Sequence, residues 1–223
     1  RVPVYAGTGA NTTRDAVKLT QIAERAGADA VSVITPSFIS PSQDELYGYY
    51  RAVAECTRLP VLLYSNPGRT GVQISVPLAN RLAELDNVVG IKDSSGDLTT
   101  TAAFINGTPP SFKVLAGRDT LVFATLLYGG AGAVAASANV AARHLVRVYD
   151  ACMAGDMDGA RKAQAALAPL RAAFALGTFP AVIKEALLMA GLDAGPCRGP
   201  VGPLSREARM QLRQVMSDLG LLA

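Results

Sequence analysis

Short apolar runs alternate with longer amphipathic segments along most of this chain. The six runs are rich in valine, isoleucine and leucine and largely continuous, which is typical of parallel strands buried on both faces. Each run precedes a segment of helical length and periodicity. The runs are VPVYAG, AVSVI, PVLLYS, NVVGIK, FKVLAG and GAVAAS, and the helices are predicted over 12–26, 42–57, 75–85, 97–106, 118–128 and 140–154.

Six successive βα units predict an α/β fold with a parallel sheet. After Gly155 the strand-like runs stop, and only helical segments follow, near 156–174, 179–190 and 205–219. We therefore divide the chain into βα units over residues 1–155 and a C-terminal helical region over 156–223.

Two architectures fit six parallel units. A closed (β/α)8 barrel takes about 250 residues, so six units with a helical tail correspond to units 3 to 8. The chain starts at Arg1 without a methionine and enters a strand at once, so we expect the first two units to be absent. The alternative is an open doubly wound sheet, but GTGANTT does not meet its GxGxxG signature. We favour the TIM barrel.

Composition narrows the function classes. Half of the residues are hydrophobic, 17% are charged and the net charge is only +3, so a nucleic-acid partner is disfavoured. No apolar stretch reaches the roughly 18 residues of a membrane span. Cys56, Cys152 and Cys197 are far apart and lack CxxC spacing, which argues against disulfides or a zinc site and favours a reducing cytoplasm. The single histidine, His144, lies in a helical segment and is not expected to act in catalysis.

Chemistry in either architecture belongs at the carboxyl ends of the strands. Lys92 stands at such an end in NVVGIKDSSGD, whereas Lys18, Lys162 and Lys184 fall in helices and Lys113 opens a strand. Burial disfavours the charged form of a lysine, and a neutral amine attacks a carbonyl to form a Schiff base. The alternative is that Lys92 reaches the rim and pairs with Asp93 or another carboxylate.

Two further side chains follow the preceding strand. Tyr64 ends PVLLYS, where its phenol is a candidate proton carrier, although a core aromatic residue is the alternative. The segment YSNPGRTG then predicts a tight turn that holds Arg69 at the mouth of a pocket. A guanidinium there suits a carboxylate, but a solvated surface arginine is an equal alternative. The glycine-rich run 129–137 lacks P-loop spacing and indicates close packing instead.

The segments LLYSNPGRTG, GIKDSSGD and GGAGAVAASANV, in this order and spacing, resemble the dihydrodipicolinate synthase and N-acetylneuraminate lyase family. The likeness extends through PVYAGTGANTT, VITPSFISPSQ and the helical tail. It implies a (β/α)8 barrel with a C-terminal helical extension and a class I aldolase or lyase that forms a Schiff base with pyruvate, without metal or organic cofactor. Lys92 matches the Schiff-base lysine, Tyr64 the proton-shuttling tyrosine, Val134 a backbone contact to pyruvate, and Arg69 the carboxylate-binding arginine of the synthase branch.

Three departures from the family pattern concern the substrate side. Phe38 aligns with a tyrosine that is offered across the dimer interface as a proton relay, and a phenyl ring carries no proton. Ser65 stands directly after Tyr64, where the motif usually has asparagine, and Asn66 follows. The GTTGE-type segment, whose threonines bind the pyruvate carboxylate, would precede Arg1.

Arg69 favours the synthase branch, which condenses pyruvate with aspartate semialdehyde in lysine and diaminopimelate biosynthesis. Phe38 keeps two alternatives open, an aldolase or dehydratase of 2-keto-3-deoxy sugar acids or hydroxy-oxo acids, and a non-catalytic barrel that binds a keto acid. The partners expected from the resemblance are pyruvate and an aldehyde or keto acid. The resemblance also implies a cytoplasmic homo-oligomer, a dimer of dimers.

Overall fold

The computed structural model describes residues 2–222. Its strands are β1 Tyr5–Gly7, β2 Ala30–Ile34, β3 Val61–Ser65, β4 Val88–Asp93, β5 Lys113–Ala116 and β6 Gly132–Ala133. Its α-helices are α1 Thr13–Arg25, α2 Gln43–Glu55, α3 Pro67–Thr70, α4 Val76–Leu82, α5 Leu98–Gly107, α6 Val122–Leu127, α7 Ala138–Met153, α8 Met157–Ala173, α9 Ala181–Met189 and α10 Arg206–Asp218. Two 3-10 turns, Asp119–Leu121 and Phe174–Leu176, complete the set.

The described chain forms two compact units. The first contains the residues up to Arg118 together with Leu127–Ala133, and the second contains Asp119–Leu126 and the residues from Val134 onward. All six strands belong to the first unit. They form one parallel sheet in the order β1-β2-β3-β4-β5-β6. Sequential parallel strands joined by helices are the units of a (β/α)8 barrel, so the predicted fold class is confirmed.

One face of the sheet is fully buried and the other is partly exposed. Tyr64 and Lys92, which are register partners on one face, are only partly buried, so the prediction of strands buried on both faces was wrong for that face. Val31, Val33, Leu63 and Ile91 on the other face are fully inaccessible to solvent. The helices that cover them begin at predictable caps. The Thr12 hydroxyl accepts a hydrogen bond from the Asp15 amide at the start of α1, and α2 begins with a capping box at Ser42.

The last strand departs from the sequence prediction. GAVAAS was predicted as a strand over 132–137, but β6 contains only Gly132 and Ala133. Gly132 has a φ of +152°, a value that L-residues rarely adopt. The amides of Ala138 and Ala141 then donate to Ala135 and Ser137, which closes turns into α7. Residues 134–137 therefore do not extend the strand, and the prediction of a strand over 132–137 was wrong beyond Ala133.

The second unit is helical beyond Val134, as predicted for the C-terminal region. Within it, the Arg209 Nε lies 2.6 Å from the Glu185 Oε1 and joins α10 to α9. Leu167, Leu170, Leu212 and Met216 are buried on α8 and α10. None of the helices described between residues 2 and 222 is both long and apolar enough to cross a bilayer.

Candidate active site

Lys92 and Tyr64 lie side by side at the carboxyl ends of β4 and β3. They are register partners in this parallel pair, so their side chains leave the same face of the sheet. The Lys92 Nζ lies 4.0 Å from the centroid of the Tyr64 ring. The prediction that a lysine and a tyrosine end neighbouring strands is thus confirmed, and the amine and the phenol are close enough to act on one bound molecule.

Lys92 has no carboxylate partner among the ion pairs between described residues. The neighbouring Asp93 is buried and is engaged elsewhere. Its carboxylate accepts hydrogen bonds from the Ser95 amide and hydroxyl, each at 2.9 Å, and from the Thr101 hydroxyl at 2.6 Å. The alternative in which Lys92 pairs with Asp93 is therefore wrong. Asp93 instead ties the end of β4 to α5 and leaves the amine available.

The Tyr64 hydroxyl lies in an environment that favours its ionised form. Burial of the phenol alone would raise the pKa of Tyr64, but the positive charge of Lys92 and hydrogen bonds from Ser94, Asn66 and Lys92 outweigh this, so the pKa lies below its ordinary value. The Asn66 Nδ2 donates to the Tyr64 hydroxyl at 2.9 Å. A phenol of lowered pKa that touches an amine is suited to passing protons to and from that amine.

Of the two residues after Tyr64, only Asn66 contacts the Tyr64 hydroxyl. Ser65 is buried, and its hydroxyl accepts from the Ile74 amide at 3.4 Å. Because side chains alternate along a strand, the Ser65 hydroxyl points away from the face that carries Tyr64. Asn66 reaches the Tyr64 hydroxyl instead. The departure from the family pattern at Ser65 therefore leaves the phenol with an amide partner.

Arg69 lies in α3, a single helical turn directly after β3 where the sequence predicted a tight turn. Pro67 occupies the first turn of this helix, and Gly71 ends it with a φ of +74°. The Thr35 and Thr70 hydroxyls, 2.9 Å apart, fasten the helix to the end of β2. Arg69 is exposed, and no ion pair involves it in the described residues. Its guanidinium is free to meet an anion at the strand ends.

Phe38 and Val134 are both exposed. Phe38 is 98% exposed and has a φ of +73°, a conformation that costs a bulky residue energy. Val134 follows β6 directly, is 44% exposed and belongs to the second unit. Its contact to pyruvate stays a prediction.

Two residues near the site received no role from the sequence. Ser94 is buried and supports the ionised form of Tyr64. Its position directly after β4, two residues beyond Lys92, was the available signal. Arg118 donates from its Nε to the Ser94 carbonyl at 3.2 Å. Across residues 2–222, no three His, Cys, Asp or Glu side chains are grouped so as to hold a metal ion.

Residues 1–219 match the Dihydrodipicolinate synthetase family. A 4-hydroxy-tetrahydrodipicolinate synthase of Methanothrix thermoacetophila is 42% identical over 222 residues, which cover 98% of this chain and 75% of that protein. The crystal structure of dihydrodipicolinate synthase from Thermotoga maritima superposes with a TM-score of 0.96 at 35% identity and covers 99% of this chain and 76% of that one. A prophage protein of the dihydrodipicolinic acid synthase family from E. coli K12, solved in complex with pyruvate, gives a TM-score of 0.94 at 35% identity, with coverage of 99% and 76%.

Proposed function

Because this chain belongs to the dihydrodipicolinate synthetase family, we propose that it is a pyruvate-dependent Schiff-base lyase that condenses pyruvate with aspartate semialdehyde, a 4-hydroxy-tetrahydrodipicolinate synthase. The observation that carries the proposal is the Lys92 Nζ, which lies 4.0 Å from the Tyr64 ring centroid and has no carboxylate partner in the described chain. An amine that is not fixed in an ion pair can lose a proton and attack a carbonyl.

The first half of the reaction uses Lys92 and Tyr64. The neutral amine of Lys92 adds to the keto carbon of pyruvate and gives a carbinolamine. Tyr64 passes a proton to the hydroxyl group of the carbinolamine, which leaves as water, and the protonated imine forms. Removal of a proton from the methyl carbon then gives the enamine, because the C–H electron pair becomes the carbon–carbon double bond and the π pair of the protonated imine moves onto its nitrogen. The lowered pKa of Tyr64 suits both proton transfers.

The second half joins the two substrates. The enamine carbon attacks the aldehyde carbon of aspartate semialdehyde, and the aldehyde oxygen takes up a proton to become a hydroxyl. The amino group of the bound product then attacks the imine carbon and displaces the Lys92 amine. Arg69 is the proposed partner of the semialdehyde carboxylate, because a guanidinium matches a carboxylate with two parallel hydrogen bonds and this one lies exposed directly after β3.

Turnover of the two substrates tests the proposal. The purified protein should consume pyruvate only when aspartate semialdehyde is present, and Lys92→Arg, which keeps the charge but not the compact amine, should abolish the reaction. Arg58→Ala is a matched surface control, because Arg58 is exposed in the loop before β3, at the opposite end of the strand. Consumption of a 2-keto-3-deoxy sugar acid in place of the semialdehyde would contradict the proposed second substrate and leave the lysine chemistry intact.

Phe38 favours that second candidate, an aldolase or dehydratase of 2-keto-3-deoxy or hydroxy-oxo acids. A phenyl ring cannot pass on a proton, so a reaction that needs a relay at this position has to route it differently. Phe38→Tyr tests the point. If the synthase activity rises in this variant, the relay position limits the wild-type enzyme. If only cleavage of a keto-deoxy acid is found and Phe38→Tyr weakens it, the second candidate replaces the first.

We further propose that the protein is a cytoplasmic homo-oligomer, a dimer of dimers. The assembly is supported by Phe38 and Ile39, apolar side chains in the loop after β2 that are 98% and 51% exposed, because exposed apolar surface is commonly covered by a partner. Sedimentation of Phe38→Ser beside the wild type tests this, since loss of the ring should weaken the assembly.

A further inference from the structure

Arg118 crosses the carboxyl ends of three strands. It follows β5 by two residues, its Nε donates to the Ser94 carbonyl beyond β4 at 3.2 Å, and its Nη2 approaches Gly68 in the segment after β3. A Cβ added at Gly96 would lie 3.2 Å from the Arg118 Nε, and one added at Gly68 would lie 3.9 Å from the Nη2. The guanidinium therefore lies next to the two glycines Gly96 and Gly68, and Gly68 directly precedes Arg69 in the chain.

The direction of the Arg118 side chain depends on a close contact between the Gly117 backbone and the end of β4. The Gly117 amide donates to the Asp93 carbonyl at 2.7 Å. A Cβ at Gly117 would lie 1.9 Å from the Ser94 Oγ and 2.8 Å from the Asp93 carbonyl oxygen. Only glycine allows the backbone directly after β5 to come this close to the end of β4. The contact directs the next side chain, Arg118, across the strand ends.

The Arg118 guanidinium lacks a counter-ion in the part of the chain that the structure describes. No ion pair involves it, and its one hydrogen bond uses Nε and leaves both Nη atoms free. The carboxylates around it are engaged elsewhere. Asp119, the next residue in the chain, accepts hydrogen bonds from the Ser137 amide and hydroxyl and lies 3.6 Å from the Arg171 Nε. Asp93 is bound by Ser95 and Thr101, and Asp97 caps α5. A partly buried cation without a partner is costly, so an anion that binds here gains that interaction.

We propose that Arg118 is a specificity-determining residue that binds the carboxylate of the aldehyde substrate, together with Arg69. The inference rests on the proposed function, because it assigns Arg118 to the second substrate of that reaction. Its two free Nη donors can grip a carboxylate, and its neighbour Gly68 adjoins Arg69 in the chain. Aldehydes that lack a carboxylate are then poor substrates, since they leave this guanidinium without an anion.

Steady-state kinetics of Arg118→Ala and Arg118→Lys, with Arg58→Ala as the control, test the inference. Arg118→Ala should raise the KM for aspartate semialdehyde by about ten- to hundredfold, as expected for loss of a charge-assisted hydrogen bond, while the KM for pyruvate stays unchanged. Its preference for aspartate semialdehyde over 3-aminopropanal, the aldehyde without the carboxylate, should fall by a similar factor. Arg118→Lys should restore part of both.

Two results would overturn the assignment. In one, the KM for the semialdehyde and the preference over 3-aminopropanal are unchanged in Arg118→Ala. In the other, kcat falls and its pH profile shifts while both KM values stay the same, which would make Arg118 a positioning residue for Ser94 and Tyr64. Borohydride trapping of pyruvate separates these results from a failure of the proposed function. If Lys92 in the wild type is labelled, the lysine chemistry stands whatever the role of Arg118.

Discussion

Removal of the Tyr64 hydroxyl isolates the proton transfers from the rest of the site. Tyr64→Phe keeps the ring that lies 4.0 Å from the Lys92 Nζ and deletes the atom that receives the Asn66 hydrogen bond. General acid–base catalysis contributes about 10²- to 10⁴-fold, which corresponds to about 3–5 kcal/mol of barrier. We expect kcat to fall by that factor. The lost hydrogen bond should cost only about 1 kcal/mol of folding free energy.

Tyr50→Phe is the matched control for this substitution. The Tyr50 hydroxyl is buried in α2 and donates to the Val33 carbonyl at 3.2 Å, so the variant loses the same atom and one hydrogen bond in the same unit. We expect a similar loss of stability, about 1 kcal/mol, in urea unfolding and no change in turnover. If Tyr64→Phe retains kcat within a few-fold of the wild type, Tyr64 is a packing residue and the proposed proton transfers are wrong.

Two further predictions concern the strand that carries Lys92 and the charge that it places beside Tyr64. Gly90→Ala in β4 should destabilise the protein by about 1–3 kcal/mol, because the added Cβ would lie 2.1 Å from the Lys113 carbonyl oxygen. Gly48→Ala in α2 should instead stabilise it by about 0.5–1 kcal/mol, because the Cβ added there meets nothing within 4 Å. Equal midpoints of urea unfolding for the two variants would contradict this packing. In a pH titration of tyrosinate absorbance, the signal of Tyr64 is the component that is missing in Tyr64→Phe, and it should ionise below the ordinary tyrosine pKa. In Lys92→Met this pKa should rise, because the positive charge that stabilises the phenolate is gone. An unchanged pKa in Lys92→Met would show that Lys92 does not act on the phenol.

The sequence predicted those site residues that stand at the end of an apolar, strand-like run. Lys92 and Tyr64 end apolar runs, and parallel strands bring such ends together. The reach of Arg118 was not predictable, because it depends on a backbone contact between Gly117 and Asp93 that joins residues distant in the chain. The extent of β6 was also missed. GAVAAS has the composition of a buried strand, but the φ of Gly132 and the turns at Ala135 and Ser137 end it early.

Asp93 illustrates a further limit of prediction from the sequence. A carboxylate next to Lys92 in the chain suggested an ion pair. Side chains alternate along a strand, however, so Asp93 faces away from Lys92 and is bound by Ser95 and Thr101. Asp93 therefore does not neutralise Lys92, and its hydrogen bonds stabilise the end of β4 from the opposite face of the sheet.

Covalent trapping tests the central claim most directly. The protein is incubated with pyruvate, reduced with borohydride, digested and analysed by mass spectrometry, with Lys92→Arg as the control for the modified position. We expect a lactyl-sized mass increment on the peptide that contains Lys92 and none on the same peptide of the variant. An unmodified Lys92 in protein that is demonstrably folded would contradict the Schiff-base mechanism.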